Sequence, residues 1–381
     1  MNTNLTSILF ALLIFQLLFL SIFLFTRTQG KRISNVLLGL FFLFIFLNLL
    51  DLFFLQLGIY AHFPQLAGWG SCLPLVFGPF IFLYTRSVVY QEFRISRKEL
   101  LHFLPGVVFL AGTEYFYLSQ PVALQMKLLS DLGQHHFPKT VILFSSLIFL
   151  QFLGYAVASL RLVFLYKKAS GQYFSDERHT DIRWLYTTLI FFMGVILISG
   201  FNGIFAETSG AKYYLLFFNL IVLVMLVYIL RLLFHALHRP FFFPLSEEQV
   251  RVSRPLPKAI RPSPENAEAD KILQLVLTHM HSQKPYLEPE LTLDQLANQL
   301  SLKPRTLSQV INKLKGQNFF DFINHYRIEE ASRLLTHPKD PKITVLEILY
   351  QVGFNSKSSF NTLFKKYTGL TPSEFKKKNL R

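Results

Sequence analysis

The feature that most constrains this chain is a series of uninterrupted apolar runs, the first reading ILFALLIFQLLFLSIFLF over residues 8–25. A bilayer core takes about 20 residues of helix to cross, so runs of this length read as membrane spans. The 381-residue chain is 51% hydrophobic and holds 42 phenylalanines, too apolar for a single water-soluble fold. Seven spans are expected, at Leu5–Phe25, Asn35–Leu57, Leu73–Thr85, Leu100–Tyr117, Val141–Tyr166, Trp184–Ala206 and Tyr213–Phe234. Pro74, Gly78 and Pro79 interrupt the third, which is expected to extend from about Ala67 to about Val89. No basic residue precedes the first run, and it is too long for the core of a removable signal peptide, so it is read as a span.

Orientation follows from the lysine and arginine bias of the loops. Arg27, Lys31 and Arg32 lie in the first loop, Arg86, Arg94, Arg97 and Lys98 in the third, and Lys167, Lys168, Arg178 and Arg183 in the fifth. The even loops hold only Lys127, Lys139 and Lys212. The odd loops are therefore expected in the cytoplasm and the amino terminus outside. Seven spans then deliver the carboxyl end to the cytoplasm, in agreement with Arg231 and Arg239.

Composition divides the chain into residues 1–238, a linker at 239–264 and a helical module at 265–381. The linker contains Pro240, Pro244, Pro255, Pro257, Pro262 and Pro264 and reads as a stiff extended spacer. Its basic residues suit anionic headgroups of the bilayer. Beyond it, short helices are expected at Ala267–His281, Leu293–Leu300, Pro304–Lys315, Phe319–Leu335, Val345–Tyr350 and Ser358–Tyr367. A last helix begins at Pro372, where Thr371 and Glu374 have capping-box spacing. The expected fold class is all-α: a seven-helix transmembrane bundle followed by a soluble domain with two helix-turn-helix units.

The stretch TLDQLANQLSLKPRTLSQVINKLKG holds the first unit. Leu293, Leu296, Ala297 and Leu300 face inward, a turn follows at Ser301–Lys303, and a second helix buries Leu307, Val310, Ile311 and Leu314. ITVLEILYQVGFNSKSSFNTLFKKY repeats the plan with Val345, Ile348 and Leu349, a turn at Gly353, and Phe360, Leu363 and Phe364. Gly353 supplies the left-handed backbone of a sharp turn. FFDFINHYRIEEASRLL lies between the units and would fix their separation.

Over residues 291–378 this arrangement resembles the carboxyl-terminal DNA-binding domain of the AraC/XylS family, most closely in VGFNSKSSFNTLFKKYTGLTPSEFK and RIEEASRLL. The resemblance implies double-stranded DNA as partner, with the two recognition helices entering adjacent major grooves. It places Arg305, Ser308, Gln309 and Asn312 at base-contact positions of the first recognition helix, and Lys357, Ser358, Asn361 and Thr362 at those of the second. The chain departs from the family pattern at Lys303, where a serine cap is usual, and at Thr362, where a long basic side chain is usual. The amino-terminal half matches no sugar-binding barrel of the kind many family members carry.

Charge supports a polyanionic partner. The whole chain carries a formal +15, and after Tyr350 seven basic residues face Glu374 alone. Lys365, Lys366, Lys376 and Lys377 are candidate phosphate contacts, which add affinity without sequence information. In the apolar half, Asp51 in the second span and Glu114 in the fourth admit two readings: an outward-opening pocket for a small-molecule signal, or packed interhelical groups. No metal triad, nucleophilic triad, phosphate-binding glycine loop or kinase motif is found, and neither an enzyme nor a cofactor is expected. His135 and His136 are adjacent on a loop with no acid at helical spacing. The single cysteine, Cys72, excludes a disulfide within the chain.

The expectation is a regulator anchored in the bacterial inner membrane, coupling an external or lipid-borne signal to transcription. A homodimer would place four recognition helices on DNA, and an activator would in addition contact RNA polymerase. The rival reading is a transporter or channel with a basic docking tail, which predicts pore-lining polar residues that these spans lack.

Overall fold

The computed structural model describes residues 5–133, 139–176, 182–209, 211–238, 245, 265–338, 340 and 342–379. Among these the structure is helical, with no strand; Phe174 and Thr292 form an isolated antiparallel bridge. The chain forms two compact units: residues 1–163 with 183–242, and residues 164–182 with 243–381. The second unit thus includes, besides the expected carboxyl-terminal module, the loop between the fifth and sixth apolar runs. The expected linker lies outside the described residues except for Leu245.

The first unit contains α1 (Leu5–Thr26), α2 (Arg32–Gln56), α3 (Pro74–Val89), α4 (Arg97–Leu100), α5 (Leu104–Leu118) and α6 (Val122–Gly133). The larger part of α7 (Lys139–Ser170), then α8 (Arg183–Ser209) and α9 (Ala211–His238), complete it. Among the described residues, four helices are long and apolar enough to cross a membrane: Leu5–Thr26, Arg32–Gln56, Leu143–Ser170 and Leu216–Phe234. Pro74–Val89 is a shorter apolar helix. The expected fourth span is divided, because its chain enters through α4 and a 3-10 turn at Leu101–Phe103 before α5 begins. Helix α6 is a further element, in a segment the sequence reading leaves as a loop.

Several polar groups inside this apolar unit are hydrogen-bonded to backbone carbonyls of neighbouring elements. Pro79 lacks the N–H that would reach the Leu75 carbonyl one turn back. Gln151 of α7 donates to that carbonyl instead, with Nε2 at 2.9 Å. The helices approach closely there, since a Cβ on Gly78 would lie 2.6 Å from Tyr155. Lys31 donates to the carbonyls of Ser87, Tyr90 and Gln91 at 3.2, 2.7 and 2.9 Å, satisfying the end of α3.

The second unit begins in the last turns of α7 and continues after the linker with α10 (Glu265–Ser282), α11 (Leu293–Gln299) and α12 (Pro304–Val310). There follow α13 (Phe319–Thr336), α14 (Val345–Gln351), α15 (Lys357–Thr368) and α16 (Pro372–Asn379). A π turn at Ile311–Lys315 extends α12 to Gly316, where a continuous α-helix is expected from the sequence. Two apolar cores result. Val276 and Met280 of α10 are buried, as are Leu293, Leu296, Ala297, Leu307, Val310 and Ile311 of the first core. The second core gathers Ile328, Ala331 and Leu335 of α13 with Ile348, Leu349, Phe360 and Phe364.

Candidate nucleic-acid interface

Both helix-turn-helix units are built on the same local chemistry. Helix α11 opens with a capping box in which Thr292 accepts from the Gln295 N–H at 3.2 Å and Gln295 Oε1 accepts from the Thr292 N–H at 2.8 Å. Thr344 and Glu347 form the same pair at the start of α14, at 3.1 and 2.7 Å. Each helix ends in a pair of reversed bonds that satisfy its last carbonyls. In the first unit the Ser301 N–H donates to Asn298 and that of Leu302 to Ala297, at 3.1 and 2.8 Å. In the second, Gly353 donates to Tyr350 and Phe354 to Leu349, at 3.1 and 3.0 Å.

The two turns take different residues for a steric reason. Ser301 has φ +55° and is exposed, so a small polar residue is accommodated. Gly353 has φ +86° and is buried, and a Cβ there would lie 2.7 Å from the Tyr286 carbonyl oxygen and 2.8 Å from that of Leu287. The turn of the second unit packs edge-on against backbone, and only glycine permits it.

After the turns come the recognition helices. On α12 and its π turn Arg305, Gln309 and Asn312 are exposed and Ser308 is half-buried. Asn312 Nδ2 donates to the Ser308 carbonyl at 2.8 Å and to its Oγ at 3.2 Å, so these two residues form one polar cluster. Lys303 caps α12 with no side-chain bond, in line with its departure from the family pattern. On α15, Lys357, Ser358 and Thr362 are exposed and Asn361 is half-buried. Ser356 caps that helix by accepting from the Ser359 N–H at 3.3 Å. Thr362 Oγ1 donates back to the Ser358 carbonyl at 2.9 Å, leaving its methyl group for apolar contact.

The four candidate phosphate lysines divide. Lys365 and Lys377 are exposed. Lys366 is paired with Asp321 at 3.0 Å, and Lys376 donates to the Ile343 carbonyl at 2.6 Å. Both of the latter tie elements of the domain together. The expected capping box at α16 is present, with Thr371 and Glu374 exchanging bonds at 2.8 and 3.4 Å.

The sequence reading did not single out the residue that organises this domain. Arg327 lies on the buried face of α13, 1% exposed, between Ile323 and Ala331. Its Nε donates to the Tyr286 carbonyl at 2.7 Å and its Nη2 to that of Glu288 at 2.6 Å. It also donates to Ser175 and to Asn324 Oδ1, and its guanidinium lies 5.6 Å from the centre of the Phe354 ring. Burial lowers its pKa to about 10, well above neutrality, so the charge persists. An arginine on an apolar helical stripe is a signal in its own right, because an ionised group is buried only when its donors are met.

In the first unit, Asp51 is 6% exposed and accepts from Tyr60 Oη at 2.6 Å, while Trp69 Nε1 donates to Tyr60 Oη at 3.1 Å. Glu114 is half-buried near the turn at Gly68, where a Cβ would lie 3.6 Å from its Oε1. Among the described residues no cluster of His, Cys, Asp and Glu suited to a metal ion occurs. His135 and His136 lie outside the described residues.

Residues 296–378 match the family of helix-turn-helix domains. The transcriptional regulatory protein YesN of Bacillus subtilis is 35% identical over 92 residues, 24% of this chain and 24% of that one. The helix-turn-helix-type transcriptional regulator YdeC of the same organism is 32% identical over 101 residues, 26% of this chain and 32% of that one. The solved carboxyl-terminal domain of a two-component response regulator yesN from Fusobacterium nucleatum is 30% identical. It covers 28% of this chain and 98% of its own, with a TM-score of 0.25. The chain thus spans about a quarter to a third of these curated relatives' length. Residues 296–378 of this chain thus form a helix-turn-helix domain.

Proposed function

We propose that this chain is a membrane-anchored, sequence-specific DNA-binding transcription regulator whose apolar half receives a signal. The observation that carries the proposal is the pairing of two recognition helices in one domain, each with a polar face turned to solvent and an apolar face in a core. Arg305, Gln309, Lys357 and Ser358 are chemically suited to base edges, and Lys365 and Lys377 to phosphates. The relatives' names, transcriptional regulators, support the same reading.

Anchoring rests on the four long apolar helices. The assignment of sides gains support within the second unit. Residues 171–176, from the fifth loop, are hydrogen-bonded to the domain that follows the last apolar helix, so that loop and the DNA-binding domain share one side of the bilayer. The lysine and arginine bias gives both as cytoplasmic. Asp51, bonded to Tyr60, fits the packed interhelical reading better than an open pocket. Any small-molecule signal then has to be sought elsewhere in the apolar unit.

The test is selection of duplexes from a randomised pool by the full chain in lipid nanodiscs. A recurring sequence motif is expected. Retention of random duplexes alone, abolished by salt, would refute sequence-specific regulation and leave only a basic surface.

A further inference from the structure

The chain enters its second unit twice, once through the linker and once, earlier, through residues 164–182. That earlier entry is integral to the packing. After α7 ends at Ser170, six residues run along the helix-turn-helix domain and bond to three separate parts of it. The Gly171 carbonyl accepts from the Phe320 N–H at 2.9 Å, and the Tyr173 carbonyl from the Leu293 N–H at 2.9 Å. Leu293 and Phe320 lie in the first turns of α11 and α13, whose N–H groups have no partner inside their own helices. Ser175 Oγ donates to the Leu291 carbonyl at 2.6 Å and accepts from Arg327 at 3.2 Å. Asn324 Nδ2 donates to the Ser175 carbonyl at 3.1 Å. Asn355, directly before the cap of α15, donates to Asp176 at 3.3 Å.

One short segment therefore grips the leading helix of the first helix-turn-helix unit, the connecting helix, and the turn of the second unit. None of these bonds involves Arg305, Gln309, Lys357, Ser358 or Thr362, so the segment leaves both reading faces uncovered. It is placed as a brace and not as a plug. We propose that residues Gly171–Asp176 are a structural part of the DNA-binding module, and that their docking fixes the relative pose of the two recognition helices. The inference rests on the reading of the domain as a double major-groove reader. It adds that the loop leaving the fifth apolar helix acts directly on the domain, in addition to the linker.

The experiment uses the full chain in nanodiscs and the variant Ser175→Pro, which removes the Ser175 N–H and restrains Phe174 without touching the carboxyl-terminal residues. Two measurements are made: hydrogen exchange at the Leu293 and Phe320 amides, and affinity for a duplex recovered by the wild type, whole and cut to one half-site. Faster exchange at both amides is expected. Affinity for the whole duplex should fall about tenfold, with little change on the half-site, because only the pose of the pair is lost. Ser175→Ala, which removes one hydroxyl, should move both readouts the same way by less, and serves if the proline variant does not fold.

Unchanged exchange in both variants overturns docking. Faster exchange with wild-type affinity overturns the brace, and equal loss on whole and half-site duplexes assigns the effect to general unfolding and overturns it too. A wild-type chain that recovers no duplex refutes the regulator reading itself, while the exchange arm still decides whether the segment docks.

Discussion

The most quantitative consequence of the domain's geometry concerns Gly353. Replacing it with alanine adds a Cβ at φ +86°, a backbone region that costs an L-residue about 1–2 kcal/mol. That Cβ would also meet two backbone carbonyl oxygens at 2.7 and 2.8 Å and a carbonyl carbon at 3.0 Å. Backbone cannot swing aside as a side chain can, and overpacking of this kind costs about 1–3 kcal/mol more. Reduced freedom of the unfolded chain returns about 0.4–1 kcal/mol. The expected loss is about 1–4.5 kcal/mol.

Gly316 supplies the internal control. It has φ +65° and nothing within 4 Å of a built Cβ, so Gly316→Ala carries the conformational term alone, about 1 kcal/mol. Tryptophan fluorescence is silent here, because Trp69 and Trp184 both belong to the first unit. Hydrogen exchange at the Ile348 and Leu349 amides, in the core beside Gly353, reports the domain's opening directly. Gly353→Ala should exchange there about tenfold or more faster than Gly316→Ala, a difference of about 1.4 kcal/mol or greater. Equal rates in the two variants would refute the close packing of the second turn against Tyr286 and Leu287.

Three further outcomes are expected. Substituting Arg305 or Gln309 with alanine should change which bases are selected at one half-site, read by repeating the duplex selection; an unchanged motif would remove them from base readout. Lys365→Ala and Lys377→Ala should each lower the slope of log affinity against log salt by about one, whereas Lys366→Ala and Lys376→Ala, already engaged by Asp321 and Ile343, should lower it less. Glu330 is held at a pKa of about 2, first by its bonds to Arg333 and then by Lys284, against an ordinary 4.5. A depressed folded value stabilises above the unfolded pKa and is lost as pH falls from about 4.5 towards 2, so Glu330→Gln should flatten that part of the stability–pH curve measured by exchange.

Much of the carboxyl-terminal domain was legible because its signals are local. Leu296, Ala297, Leu307 and Ile311 repeat at helical spacing, Gly353 marks a turn, and Thr371 with Glu374 announces a helix start. The same spacing at Thr292–Gln295 and Thr344–Glu347 was equally readable, and both pairs form the bonds it implies. The π turn at Ile311–Lys315 was not legible, since no residue there favours it over a continued α-helix. Nor was the partnership of Gln151 with the carbonyl freed by Pro79, which joins residues far apart in sequence.

The brace was the least readable element. Ser175 and Arg327 are 152 positions apart, and nothing in GQYFSD has the periodicity of a helix or a paired strand. The signal lay in Arg327 itself, a charge on an apolar stripe whose donors had to be met by some other part of the chain. Seven spans are expected from hydropathy, and among the described residues four helices have the length and composition to cross. Part of the difference arises where α3 starts at Pro74 and where the chain before Leu104 turns in short segments instead of one helix. Asp51 read more readily as a packed group than as a pocket residue, but its partner Tyr60 becomes visible only once the turn between α2 and α3 is folded.

Hydroxyl-radical footprinting of the full chain on a recovered duplex tests the central claim most directly. Two protected patches on one face, about 10 base pairs apart, are the predicted pattern, with the patch assigned to α12 weakening in Arg305→Ala and that assigned to α15 weakening in Lys357→Ala. A single patch, or two patches that both respond to one substitution, would contradict simultaneous reading by the two helices.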